Sequence, residues 1–144
     1  MPVINKTPHA VHIVGADNSI VHTYPKAESL IRLSVSTRPA EPLPDGTPTS
    51  ITVFGEPEGL PMEQWIAGSQ GNPETGYGNT PSEAEDDFCA KTGRGYAMWT
   101  EPLVYYIVSQ IVKSALPNRA DLLVPAEVVR DNAGNIIGCK SLGR

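Results

Sequence analysis

Glycine and proline interrupt this chain so often that long helices are excluded. The 144 residues include 13 glycines and 14 prolines, spread along most of the sequence. Proline cannot continue a helix and glycine favours turns, so the segments between them form short elements. A chain of this length fits one domain, which we place at residues 1–144. We expect an α+β fold, rich in antiparallel β-sheet, with two or three short helices.

The first hairpin is predicted from an alternating pattern in residues 10–24. Apolar and polar residues alternate on both sides of a turn-forming centre at residues 15–19. Such a pattern is typical of two antiparallel strands with one buried face. We expect Val11, Ile13 and Val21 to share that inner face.

Two further strands are predicted after this hairpin. Residues 29–36 alternate again, and Arg32 falls on the side of the strand that points away from the main core. A proline-rich turn follows, and residues 49–54 then predict another strand. The first third of the chain therefore indicates an antiparallel sheet.

The segment 62–101 breaks this rhythm, and we interpret it as an elaborated insertion or loop with a short helix. Residues 61–68 have helical spacing, whereas 68–81 consist almost entirely of turn-forming residues. Ser82 begins a capping-box pattern, which predicts a helix over 83–91 that is stopped by Gly93 or Gly95.

The last third of the chain predicts a buried strand, a helix and a closing hairpin. Residues 103–109 form a continuous apolar run, which is typical of a strand buried on both faces. Ser109 is placed to cap a short helix over 110–116. Residues 121–125 and 127–131 predict two extended pieces, and a turn at 132–135 predicts that 127–131 and 135–142 form a closing hairpin.

The composition argues against several partners. The formal net charge is −5 and the isoelectric point is near 5.1, which disfavours binding to duplex nucleic acid but leaves open a local site for a small anion. No apolar run is long enough to cross a bilayer, so we expect no membrane partner. The start of the chain lacks a secretory pattern, and we expect Cys89 and Cys139 to be reduced, although counting alone leaves a disulfide between them open.

No arrangement of residues predicts catalysis or a metal site. The glycine-rich stretches at 75–79 and 92–95 complete neither common phosphate-loop pattern, so we interpret them as turns. His12 and His22 would face each other across the first hairpin, but two surface imidazoles are the better interpretation. We therefore expect a protein that is not an enzyme and that uses no metal or cofactor.

Two arginines stand out because each interrupts an extended, mostly apolar segment. Arg32 and Arg130 each offer a planar guanidinium that suits a phosphate or a carboxylate. The alternative interpretation is an internal ion pair, for example between Arg130 and Asp131 or Glu127. From spacing alone, the ion pair is the favoured interpretation.

Four segments recur together in a recognisable order. They are NKTPHAVHIV at 5–14, FGEPEGLP at 54–61, YIVSQIVKSALPNRADLLVP at 106–125 and VVRDNAGNIIGCKSL at 128–142. This set resembles a family of small phage and prophage proteins, and it is similar to the Thoeris anti-defence sponge proteins. The resemblance covers roughly residues 5–61 and 102–142.

The resemblance implies a phage protein that binds immune signals of the cyclic ADP-ribose type and sequesters them without cleaving them. It also implies a homo-oligomer, with pockets at subunit contacts, and separate arginine-lined sites for cyclic oligonucleotides. By similarity, Arg32 and Arg130 are the residues expected at those separate sites. Tyr106 and Asn118 are expected at the ADP-ribose pocket. The segment 62–101 is longer than the resemblance predicts, which leaves pocket shape and ligand preference open.

Two other classes of function stay open at this point. A small phage structural or assembly protein would have the same β-rich oligomeric fold without a nucleotide ligand. A nucleotide-processing enzyme would need a general base or a metal site, which the sequence does not indicate. For the sponge function, the expected location is the cytoplasm of the infected bacterial host. The sequence leaves open the linkage isomer of the ligand and the number of subunits.

Overall fold

The computed structural model describes residues 2–144, which form eleven strands and two helices within that range. The strands are β1 (Val3–Asn5), β2 (Val11–Val14), β3 (Ile20–Tyr24), β4 (Val35–Ala40), β5 (Thr49–Phe54), β6 (Trp65–Gly68), β7 (Gly76–Gly78), β8 (Trp99–Pro102), β9 (Tyr105–Ile107), β10 (Leu122–Arg130) and β11 (Ile136–Gly143). The helices are α1 (Pro81–Thr92) and α2 (Gln110–Ala115). The expected strand-rich composition with two helices is confirmed.

Six strands form the main sheet in the order β1, β9, β10, β11, β2, β3. The pairs β10–β11 and β2–β3 are antiparallel, whereas β1–β9, β9–β10 and β11–β2 are parallel. The expectation of an antiparallel sheet is therefore wrong for three of these five pairs. Sequence alternation finds strands and tight hairpins, but parallel neighbours are joined by long connections that carry no local signal.

Both predicted hairpins of the main sheet are present, with one error of register. The first turns at Asn18, whose φ is 62°, and the second turns at Gly134, whose φ is 86°. Val14 pairs with Ile20 after a register shift in the first hairpin. This shift leaves Val21 outside the ladder and 65% exposed, so its predicted place on the inner face is wrong.

The buried strand predicted near residue 105 is β9, which lies between β1 and β10 and is buried along its whole length. Tyr105 and Ile107 face one core cluster, and Tyr106 faces the other. The side chain of Ser109 accepts a hydrogen bond from the backbone N–H of Val112, so the predicted cap of α2 is confirmed.

The two edge strands of the main sheet are joined through one side chain, that of Asn5 on β1. Its amide nitrogen donates to the carbonyl oxygens of Tyr24 (3.3 Å) and Pro25 (3.1 Å) at the end of β3, and to that of His9 (2.7 Å). Its side-chain oxygen accepts from the backbone N–H of Thr7 at 2.9 Å. We call this group the Asn5 clasp. Val3 on β1 and Tyr24 on β3 both pack against the core cluster that contains Tyr105 and Ile107, so the two edge strands share one core.

The strand predicted at 29–36 is wrong over most of its length. Only a single backbone bridge forms, in which Arg32 and Glu58 exchange two hydrogen bonds of 2.8 and 2.7 Å. Regular pairing ends at Phe54, beyond which one more bond forms, from the N–H of Gly55 to the carbonyl oxygen of Ser34 at 2.8 Å. The predicted strand 49–54 is confirmed as β5, which pairs with β4 in a two-stranded hairpin.

Residues 62–101 contain a small sheet in the order β7, β6, β8, covered by α1. The helix predicted at 61–68 is wrong, because β6 pairs on both sides, and the loop predicted over 68–81 contains β7. A Cβ at Gly76 would collide with the backbone of α1, so glycine allows β7 to lie directly against the helix. The backbone N–H of Leu103 donates to the carbonyl oxygen of Gln64 at 2.7 Å, so the two ends of this segment meet.

The predicted helix of this segment is α1, which begins two residues earlier than expected. Thr80, not Ser82, is the cap that accepts from the N–H of Glu83 at 3.1 Å. Of the two glycines predicted to stop the helix, Gly93 is the one that does so, with a φ of 73°. No helix within residues 2–144 is long and apolar enough to span a bilayer.

Candidate functional site

The first arginine predicted to bind a ligand, Arg32, lies in the irregular segment between β3 and β4. Its backbone is held by Glu58, while its side chain is exposed. The neighbouring Ile31 packs against the core cluster that contains Tyr106 and Leu122. The guanidinium of Arg32 is therefore carried on an anchored backbone and is open to solvent.

The second arginine, Arg130, ends β10 and holds its own turn. Its Nη1 donates to the carbonyl oxygen of Gly134 at 2.9 Å. The carboxylate of Asp131 accepts from backbone N–H groups of the same turn, and that of Glu127 accepts from the hydroxyl of Ser141. Both carboxylates considered as ion-pair partners are thus engaged elsewhere.

Within residues 2–144, neither Arg32 nor Arg130 belongs to an ion pair. The internal ion pair that spacing favoured therefore does not form in the described part of the chain. A guanidinium without a carboxylate partner keeps its full charge available for an anion. Both predicted arginines retain this capacity.

The two arginines are anchored in different parts of the fold. Ile31, next to Arg32, packs against the core cluster that contains Leu122, the first residue of β10. Arg130 is the last residue of that strand and bonds the turn that follows it. Arg32 and Arg130 therefore lie in separate local environments.

Tyr106 and Asn118, the residues predicted for the second pocket, lie in contrasting environments. Tyr106 is only 4% exposed and packs in the core beside Val108 and Leu122. Asn118 is exposed in the turn that follows α2. Asn118 precedes Arg119, whose charge acts on Tyr106, so both residues border the ionic cluster described next.

Sequence reasoning missed an ionic cluster centred on Arg119. Its Nε and Nη2 donate to the two oxygens of Asp121 at 3.0 and 2.6 Å, and Nη2 also donates to the carbonyl oxygen of Pro61 at 2.9 Å. The carboxylate of Glu63 lies 3.9 Å from Nε. The Asp121 side chain is completely buried and that of Arg119 is 15% exposed. This Arg119 cluster ties the start of β10 to the chain before β6.

Burial and charge act in opposite directions on the pKa of Arg119. Desolvation lowers it, but the hydrogen bonds and charge of Asp121, with a smaller contribution from Glu63, outweigh this effect and raise it. The guanidinium therefore stays charged, and its bidentate pair with Asp121 occupies it. The spacing of arginine and aspartate two residues apart was visible in the sequence, but their burial was not.

The Arg119 cluster also acts on the phenol of Tyr106. Burial raises the pKa of Tyr106, and the negative charge of Asp121 raises it further, whereas Arg119 lowers it. The phenol is therefore held in its neutral form. A neutral buried tyrosine can donate a hydrogen bond or stack against a ring, but the core packing around Tyr106 already covers most of it.

A cavity of about 600 Å³ opens beyond the end of β9, between the β1–β2 connection and the β10–β11 hairpin. Val11 and Cys139 belong both to its lining and to the core that the Asn5 clasp encloses. We call it the end cavity. None of the four residues predicted to bind ligands lines it.

Within residues 2–144, no group of three or more histidine, cysteine or acidic side chains is arranged to hold a metal ion. His12 instead meets Thr23 across the first hairpin, with 2.9 Å between Nδ1 and the hydroxyl oxygen.

Comparison with protein-family models, with curated proteins and with solved structures finds no match for this chain.

Proposed function

We propose that this protein binds cyclic nucleotide signals, of the cyclic ADP-ribose type and as cyclic oligonucleotides, and sequesters them without cleaving them. The observation that carries this proposal is that Arg32 and Arg130 present exposed guanidiniums without carboxylate partners. Charge-assisted bonds from guanidinium to phosphate are among the stronger hydrogen bonds in proteins. The resemblance to the sponge proteins supports the ligand class and a role as a phage anti-defence protein in the host cytoplasm.

The separation of the two arginines supports a particular arrangement of sites. Because Arg32 is held at the bridge to Glu58 and Arg130 at the turn after β10, we assign each to a different phosphate contact. A site with two guanidiniums then requires arginines from two copies of the chain. This arrangement agrees with the expected homo-oligomer.

The exposed hairpin β4–β5 gives independent support for self-association. Val35, Ile51, Val53 and Phe54 are each 39–60% exposed on this hairpin. An isolated two-stranded hairpin is only marginally stable in water, so apolar surface on it favours a covering partner. The same observation favours the alternative, a phage structural or assembly protein without a nucleotide ligand.

One experiment separates these functions. The purified protein is incubated with a panel of cyclic ADP-ribose isomers and cyclic dinucleotides, the unbound ligand is removed, and the retained ligand is released by heat and identified by mass spectrometry. Sequestration predicts an intact cyclic ligand. Recovery of linear ADP-ribose would make the protein an enzyme, and no retention across the panel would favour the structural role. A monomer mass by light scattering at micromolar concentration would overturn self-association.

A further inference from the structure

The lining of the end cavity is mainly aliphatic. Side chains of this type come from β2, from the residue after β9, and from β10 and β11; they are Val11, Val108, Pro125, Val128, Ile136 and Ile137. No aspartate, glutamate, lysine or arginine lines it. Since a charged ligand would lose hydration there without gaining a charged partner, the lining favours an uncharged ligand.

Most polar groups at the cavity are already committed to the fold. The hydroxyl of Thr7 donates within the Asn5 clasp, that of Ser109 caps α2, and His12 meets Thr23. Among the polar side chains of the lining, the imidazole of His9 has no hydrogen-bond partner within residues 2–144; only its backbone carbonyl oxygen accepts hydrogen bonds. The cavity therefore offers a large apolar surface and few polar contacts.

Two apolar side chains at the rim remain exposed to water. Val128 is 47% exposed and Ile136 is 61% exposed, although both lie on the hairpin that forms one wall. Covering such surface is favourable by about 25 cal/mol for each Å² removed from water. The volume of about 600 Å³ falls in the range that holds small-molecule ligands.

We propose that the end cavity binds an uncharged, mainly apolar small molecule. This site is separate from the phosphate contacts proposed above, because neither Arg32 nor Arg130 lines it. Its ligand is recognised by shape and by apolar contact, not by charge. The two proposals are tested with different ligands, and Arg130, which pairs with Ile136 across the hairpin, is left unchanged in the test of the cavity.

The test is a fluorescence titration of the full chain with N-phenyl-1-naphthylamine, an uncharged dye that brightens in apolar surroundings. We expect saturable binding of one dye molecule per chain. Ile136→Asp places a carboxylate in the rim and is expected to weaken binding at least tenfold. Ile20→Asp is the matched control, because Ile20 is also the first residue of a strand, is 56% exposed, and lies outside the cavity.

The control variant should bind the dye as the unmodified chain does. Absence of saturable binding to the unmodified chain would overturn the proposal, as would equal affinities of the two aspartate variants. Thermal melting checks that each variant is folded. If Ile136→Asp does not fold, Val128→Asp at the same rim is used in its place and carries the same expectation.

Discussion

The side-chain amide of Asn5 on β1 donates a hydrogen bond to the carbonyl oxygen of Tyr24 on β3, 3.3 Å away, and so joins the two edges of the main sheet. Asn5 is only 5% exposed. The contact explains part of the segment NKTPHAVHIV, since Asn5, Thr7 and His9 all take part in the clasp. An edge strand closed in this way does not offer free backbone groups to another chain at that point.

Replacing the clasp residue tests its contribution to stability. Asn5→Ala removes a buried amide and leaves carbonyl oxygens and the N–H of Thr7 without their partner. We expect the free energy of unfolding to fall by about 2–3 kcal/mol, because each unsatisfied buried group carries a desolvation cost. Urea denaturation measures the change, with the exposed Asn79→Ala as control. A loss below about 0.5 kcal/mol, the range of ordinary surface substitutions, would show that the clasp is dispensable.

The Arg119 cluster is expected to stabilise the fold. Asp121→Asn leaves the guanidinium of Arg119 with a neutral partner in a buried position, and we expect a loss of about 3 kcal/mol in the free energy of unfolding. Asp87→Asn breaks the exposed pair with Lys91 and should have a much smaller effect. Chemical denaturation of both variants compares them. Equal losses would mean that burial does not distinguish the two pairs.

The proposed phosphate contacts predict a loss of affinity without a loss of stability. Arg32→Ala and Arg130→Ala should each weaken binding of a cyclic dinucleotide roughly ten- to a hundredfold, since each removes a charge-assisted hydrogen bond. Isothermal titration calorimetry measures the affinity. Thermal melting should change little, because neither arginine holds an ion pair in the described chain and Arg130→Ala removes only one exposed hydrogen bond, to Gly134. Arg94→Ala is the matched control, because Arg94 is also exposed and in no ion pair of the described chain but lies outside the β4–β5 hairpin. Unchanged affinity in both single variants would remove these arginines from the site.

Alkaline pH should destabilise the protein through Tyr106. Its folded-state pKa is raised above the ordinary value of 10.0, so the folded chain keeps a proton that the unfolded chain loses. This contribution to the free energy of unfolding is complete below pH 10 and is lost as pH rises through the folded-state pKa. Tyr106→Phe should therefore flatten the decline above pH 10 in denaturation curves collected across pH. The 68% exposed Tyr96→Phe serves as control, and an identical decline in both variants would contradict the assignment.

The reliable sequence predictions concern contacts between residues close along the chain. The hairpin β10–β11 was predicted because its turn residues lie between two apolar strands, and α2 because Ser109 can bond the N–H three residues later. The cap of α1 was misplaced by two residues, since Thr80 and Ser82 carry equivalent hydroxyls. Pro81 favours Thr80, because proline suits the first position of a helix and would lie outside a helix capped by Ser82.

The candidate site was predicted only in part for the same reason. Arg32 and Arg130 were identified as exposed guanidiniums by alternation within their own segments, and both side chains are exposed. The place of Arg130 at the β10–β11 turn and the hydrogen bond from Ser141 to Glu127 depend on the pairing of β10 with β11. The end cavity was not predicted, because its walls come from four separate parts of the chain and no local pattern shows that they come together.

By itself, the sequence determined the short elements, the two hairpins of the main sheet and the buried character of β9, because alternation, turn residues and caps act over a few neighbouring residues. The tertiary structure alone decided the parallel pairing of β1 with β9, the closure of the sheet through Asn5, and the burial of Asp121 against Arg119. Each of these contacts depends on which distant segments pack together to bury apolar surface. The local pattern of residues does not specify which segments those are.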